Sequence, residues 1–177
     1  MSERQMTPLP LLGFAGFSGA GKTTLLSAVL PLLVKQGVRV GMIKHAHHDF
    51  DIDQPGKDSY VLRKAGASQM LIASSKRWAL MVENNDVTRD PKLDALLGRL
   101  DQSRLDLILV EGFKHETIPK IEVHRAELGH PLLCSADRDI IAIACDDATQ
   151  IDQLIMRLNI NHPEQVAAFI VKHMRRS

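Results

Sequence analysis

Apolar and polar positions along the 177-residue chain change period several times. The run Leu9-Pro10-Leu11-Leu12-Gly13-Phe14-Ala15 is apolar enough for a buried strand. After a glycine-rich segment, Thr24 to Leu30 places its leucines and valine at helical spacing, and Gly37 ends that helix. Val38 to Ile43 predicts a second strand, followed by a polar loop from Lys44 to Pro55. Lys57 to Ala65 predicts a helix with Tyr60, Val61, Leu62 and Ala65 available for its buried side, stopped by Gly66. Ser68 to Ala73 and Trp78 to Val82 predict two short strands paired through the turn Ser74-Ser75-Lys76-Arg77. Asp90 to Leu100 predicts an amphipathic helix with Leu93, Leu96, Leu97 and Leu100 on one face. Leu105 to Val110 is nearly continuous in aliphatic residues, the pattern of a central strand in a parallel sheet. Lys120 to Arg125 alternates as a strand does, and Ile140 to Cys145 predicts another buried one. Two helical stretches follow, Thr149 to Leu158 and Pro163 to Met174, with Lys172, Arg175 and Arg176 at the negative end of the second.

Strands alternating with helices imply right-handed crossovers. The predicted fold is therefore α/β: a three-layer architecture with a mostly parallel, doubly wound sheet and an added β-hairpin region. No repeat, low-complexity tract or linker breaks the chain, so 1–177 reads as a single domain. Its apolar fraction of 45% and charged fraction of 24% are globular averages. With 22 Lys and Arg against 21 Asp and Glu, the charge balance argues against a dedicated nucleic-acid binder. Apolar stretches stop short of membrane-spanning length, and the polar start predicts no secretory signal. Cys134 and Cys145 are too far apart for a C-x-x-C pair; two thiols without a signal predict a cytoplasmic protein.

The chemistry concentrates at Gly16 to Thr23, which read G-F-S-G-A-G-K-T and match the phosphate-binding pattern G-x-x-x-x-G-K-[ST] at every fixed position. Glycine lets consecutive N–H groups turn around phosphate oxygens without a Cβ clash. The helix behind the loop aims its positive dipole end at the same oxygens. Gly16, Ser18, Gly19, Ala20, Gly21, Lys22, Thr23 and Thr24 are the predicted nucleotide-binding residues. Lys22 supplies a point charge for the β- and γ-phosphates, and the Thr23 hydroxyl is a ligand for Mg²⁺. Leu107 to Gly112 ends an apolar strand in an acid, and Glu111 is the expected second support for Mg²⁺.

Lys44 to Asp53 holds three histidines and three aspartates, and opens at the carboxyl edge where ligands bind in such sheets. Asp49 is the first choice for orienting an attacking water or holding a metal-bound one, which makes Lys22, Asp49 and Glu111 the candidate catalytic set. The histidines His45, His47 and His48 also fit a transition-metal site, or a polar loop meeting solvent. Arg63 is placed either to reach an anionic ligand or on a solvated helix face. Phe113-Lys114-His115-Glu116 is a candidate mobile segment. Asp146 and Asp147 lie where a guanine-reading group belongs, although no N-K-x-D sequence is present.

The segments G-F-S-G-A-G-K-T-T, I-K-H-A-H-H-D-F-D-I-D-Q-P-G-K-D-S-Y, L-R-K-A-G-A and D-L-I-L-V-E-G-F-K-H-E together resemble the MobB family, over about Leu9 to Cys145. The resemblance implies a cytoplasmic, homodimeric GTP-binding protein that uses Mg²⁺ and hydrolyses GTP slowly at best. It implies a role as adapter for the guanylyltransferase MobA, which joins GMP to molybdopterin. By position, Gly16 to Thr24 would wrap the phosphates, Thr23 and Glu111 would serve Mg²⁺, and Asp49 would belong to a loop near the γ-phosphate. Two other readings stay open: an ATP-dependent small-molecule kinase with Asp49 as general base, and a GTP-dependent nickel metallochaperone using the histidines.

Overall fold

A computed structural model describes residues 9–46, 50–84, 90–151 and 154–175. In chain order its elements are β1 (Leu11–Ala15), α1 (Lys22–Lys35), β2 (Val40–Lys44), α2 (Asp58–Lys64), β3 (Gln69–Ala73) and β4 (Trp78–Val82). They continue with α3 (Leu93–Leu97), β5 (Leu107–Glu111), β6 (Lys120–His124), β7 (Ile140–Cys145), β8 (Met156–Asn159) and α4 (Pro163–Met174). These residues form two compact units, one from 9–45 and 92–175, the other from 46–91.

The larger unit is built on a six-stranded sheet in the order β2-β5-β1-β6-β7-β8. Every pairing in it is parallel. All six strands therefore present their carboxyl ends at one edge. Alternate residues serve opposite faces. Leu107 and Leu109 of β5 join Leu12, Phe14, Ile121 and Val123 in a core covered by α1 and α4. Ile108 and Val110 turn the other way and meet Ile43, Phe113 and Leu93 of α3. A strand buried on both faces must be aliphatic throughout, which explains the Leu107-Ile108-Leu109-Val110 run. Helix α1 contributes Leu25, Leu26, Val29 and Leu33, all buried, at the expected one-face spacing. The result is the three-layer, mostly parallel α/β fold.

Several expectations change. Among its described residues the stretch Thr149 to Leu158 forms no helix; Met156–Asn159 is a strand lying parallel to β7. Ile151, Leu154, Ile155 and Leu158 do follow helical spacing. In the structure, however, Leu158 and Ile160 are the buried pair, separated by one residue, so a period of two prevails. Pairing with β7 satisfies that backbone and extends the sheet. The helix expected from Asp90 is also shorter, starting at Leu93 and capped at Gly98, although Leu93, Leu96, Leu97 and Leu100 keep the predicted apolar face.

The smaller unit pairs β3 and β4 as an antiparallel hairpin beside α2. Its turn is closed by Ser74, whose N–H donates to Arg77 O at 2.8 Å and whose Oγ accepts from the Arg77 amide at 3.2 Å. Arg63, on α2, is buried, which corrects the solvated-face reading, whereas Val61, Leu62 and Ala65, expected on the buried side of this helix, are exposed. Its guanidinium donates to Asp53 Oδ1 at 2.7 Å, to Glu83 Oε1 at 2.7 Å and to Asp51. Tyr60 lies 5.4 Å beneath it as a cation–π partner. These carboxylates raise the Arg63 pKa, Asp53 first, and Arg63 holds the Asp53 carboxyl below its ordinary value. One hairpin face carries Leu71, Trp78, Leu80 and Val82, all exposed.

Among the described residues, no helix is long and apolar enough to cross a membrane. Both cysteines are buried and free. Glu122, wholly buried on β6, accepts the Leu133 and Cys134 amides at 2.8 Å each and so anchors the turn that carries Cys134.

At the amino end of the sheet, Asp106 clamps β2 to β5. Its Oδ2 accepts the Arg39 amide at 2.8 Å, and its Oδ1 accepts the Arg39 guanidinium at 2.7 Å. The Arg39 side chain holds the Asp106 carboxyl at a pKa of about 2, against an ordinary 3.8. The folded form thus stays ionised where the unfolded chain takes up a proton. The contribution is complete above about pH 4 and is lost as pH falls towards 2. Both side chains are more than a third exposed, so solvent limits it to about 1 kcal/mol or less. Asp106→Asn is expected to unfold at lower denaturant concentration than the wild type at pH 7, with the gap closing near pH 2. Equilibrium unfolding at both pH values checks this.

Candidate functional site

Between β1 and α1 the chain curls instead of extending. Gly16, Gly19 and Gly21 have φ of 147°, 81° and 93°. The Ala20 amide closes on Phe17 O at 3.3 Å. At Gly16 the backbone also runs against β6, where an added Cβ would sit 2.4 Å from Val123 O. Only glycine fits there. Helix α1 begins at Lys22, so its positive dipole end faces the curl. The Lys22 ammonium folds back and donates to Gly16 O and Phe17 O, both at 2.9 Å, tying the loop to its own helix. Burial lowers the Lys22 pKa, opposed by the Glu111 charge and assisted by Lys44. Ser18, Gly19, Thr23 and Thr24 are exposed around this curl, and Ala20 is buried beneath it.

Glu111 ends β5 and is buried, with its Oε1 3.3 Å from the Thr23 hydroxyl. Two hard oxygens at this separation suit a small divalent cation. Adjacent ligands of an octahedral Mg²⁺ at about 2.1 Å lie about 3 Å apart. The next residue, Gly112, has φ 95°, and an added Cβ would stand 3.0 Å from the His45 Cβ. The His45 amide donates to Glu111 O at 2.8 Å, and its ring stacks on Phe113 at 5.1 Å. The ends of β2 and β5 are thereby locked together.

A family model described as molybdopterin guanine dinucleotide synthesis protein B matches residues 11–146. The chain belongs to the MobB family. It is 52% identical over 171 residues to the molybdopterin-guanine dinucleotide biosynthesis adapter protein of Escherichia coli K12, covering 96% of both chains. The adapter protein of that name from Haemophilus influenzae is 44% identical, over 92% of this chain and 88% of its own. A crystal structure of molybdopterin-guanine biosynthesis protein B superposes with a TM-score of 0.73 at 28% identity, over 93% of this chain and 99% of that one. The Bacillus subtilis MobB structure gives 0.72 at 23% identity and agrees in fold.

In this MobB-family chain the structure places Glu111 beside Thr23 at the end of the Gly16 to Thr24 segment. Asp49, His47 and His48 lie outside the described residues. Of the acids in that segment, Asp51 and Asp53 are engaged by Arg63, which therefore serves the smaller unit's interior and not an anion. Asp146 is likewise engaged: its Oδ1 accepts the Thr149 hydroxyl at 2.8 Å and its Oδ2 the Ala126 amide at 3.1 Å. Burial works to raise its pKa, but these donors hold it below the ordinary value. Asp147 beside it is exposed.

The phosphate-loop pattern assigns no role to two cations that stand beside the loop. Arg125 follows β6, and its Nε would be 3.6 Å from a methyl placed on Gly21. Lys44 ends β2, and its Nζ is 3.4 Å from Glu111 Oε2. The available signal was position, since each lies at the end of a strand on the same sheet edge. Phe17 stacks on His130 at 4.2 Å, forming with Arg125, His124 and Leu128 a shallow recess beside the loop.

Gly16→Ala forces a contact with backbone that has no room to move. We expect it to cost about 1–3 kcal/mol of stability. Thermal unfolding of the variant should show a Tm several degrees lower, whereas Gly19→Ala, where an added Cβ meets nothing within 4 Å, should lose less.

Proposed function

We propose that this chain is a GTP-binding adapter that assists a MobA-like guanylyltransferase in attaching GMP to molybdopterin. The observation that carries the reading is the curled Gly16 to Thr24 segment, closed by Lys22, with the Thr23–Glu111 oxygen pair beside it on one sheet edge. Relatives that carry the adapter name and align over nearly the whole chain supply the biosynthetic context.

In this reading the backbone amides of residues 16–24 bind the phosphates. Lys22 leaves its two carbonyl partners to meet the β- and γ-oxygens, and Thr23 with Glu111 holds Mg²⁺. When bound, the ion neutralises phosphate charge. Asp49 contributes from the loop after β2 by orienting water. Phosphoryl transfer of this type rests on positioning and charge, and no glutamine or arginine finger is evident in the motifs. Turnover is accordingly slow, and binding is the function. The working form is a cytoplasmic homodimer; the exposed Leu71, Trp78, Leu80 and Val82 face supports self-association. Guanine preference rests on the family resemblance, because both Asp146 carboxylate oxygens already have partners.

Lys22→Ala removes the phosphate-facing charge while freeing only two carbonyls that water can reach. GTP affinity should fall at least about a hundredfold with the fold retained, measured by calorimetric titration alongside circular dichroism. Unchanged affinity would falsify the assignment of the loop. Glu111→Gln should keep some GTP binding but lose most of its dependence on added Mg²⁺, read by the same titration with and without the metal. Equal retention of ATP and GTP would remove the guanine preference.

A further inference from the structure

The register of the sheet places Lys44 directly beside Glu111, and Glu111 beside Phe14. Neighbouring residues in a parallel rung project to the same face, and here that is the face covered by α1. Thr23 stands on the first turn of α1. The Lys44 ammonium therefore enters the space bounded by the hydroxyl and the carboxylate. It lies 3.5 Å from Thr23 Oγ1, 3.5 Å from Glu111 Oε1 and 3.4 Å from Glu111 Oε2.

We propose that Lys44 is a tethered cation that occupies the magnesium position and must be displaced before the metal can bind. This rests on the assignment of Thr23 and Glu111 to Mg²⁺ made above. The same two oxygen groups serve both cations, so the ammonium and the metal exclude one another. The contacts are long for charge-assisted hydrogen bonds, and the Lys44 side chain is 56% exposed against 10% for Glu111. Such a cation balances the buried carboxylate yet leaves at small cost. A divalent ion arriving alone has to eject it for only two protein oxygens. An ion arriving with a triphosphate gains phosphate ligands, and the released ammonium gains anionic oxygens to face. Lys44 thus couples metal uptake to nucleotide. It is a positioning residue and touches no reacting atom in this account.

The test uses Mn²⁺ as a paramagnetic probe, titrated into the full chain by electron paramagnetic resonance, first without nucleotide and then with GTP. The proteins are the wild type, Lys44→Met, Lys44→Gln and Lys35→Met, the last removing an exposed charge at the far end of α1. Both Lys44 variants should bind Mn²⁺ at least about tenfold tighter than the wild type without nucleotide. Lys35→Met should not, and the gap should narrow with GTP. Wild-type affinity in both Lys44 variants, or an equal gain in Lys35→Met, overturns the proposal. Glu111→Gln in the Lys44→Met background separates the two ideas. If it abolishes Mn²⁺ binding while Lys44→Met alone gains nothing, only the role of Lys44 fails. If it leaves Mn²⁺ binding intact, the magnesium assignment fails and the displacement idea with it.

Discussion

One rung of the sheet governs the rest of the site. Phe14, Glu111 and Lys44 stand side by side on β1, β5 and β2, separated by the interstrand spacing of about 4.8 Å. Parallel hydrogen bonding fixes that alignment. Hydrophobic burial fixes its facing, because Phe14 must reach the core beneath α1 and the two charged residues follow. Shifting β5 by one residue would turn Glu111 away from Thr23 and swap Leu107 and Leu109 with Ile108 and Val110 between the two cores. The same forces that assemble the core therefore aim the acid.

The price of this arrangement is a carboxylate held in a mostly apolar setting, and its neighbours address that directly. Thr23 donates to Glu111, Lys44 contributes a charge, and the His45 amide takes up its backbone carbonyl. The interior meets the same requirement at Lys120, whose buried ammonium bonds Glu116 O at 2.6 Å and pairs with Asp137 at 3.0 Å. Around Arg63 three carboxylates converge on one guanidinium. Each buried charge is satisfied locally, so the sheet edge remains available for a ligand.

Much of this was legible in sequence because it depends on local pattern. The strand, glycine loop and helix around Lys22 follow from composition and spacing over two dozen residues. Glu111 was legible as the acid closing an aliphatic strand. Lys44 was not, since its meaning depends on which strand lies beside β5, a non-local fact. Arg63 is ambiguous in sequence for the same reason: its acids at 51, 53 and 83 are brought together only by tertiary structure. The strand at Met156–Asn159 is hidden in the sequence because Leu154, Ile155 and Leu158 satisfy a helical pattern, while pairing with β7 decides the outcome.

The turn anchored by the buried Glu122 has a practical consequence for the thiols. Burial and the adjacent carboxylate raise Cys134 to about 11, and burial raises Cys145 as well. At neutral pH both remain protonated and shielded, hence poor nucleophiles towards maleimides or peroxide. A cysteine introduced on the exposed surface would then be the one that takes a fluorophore, giving site-selective labelling without removing either native sulfur.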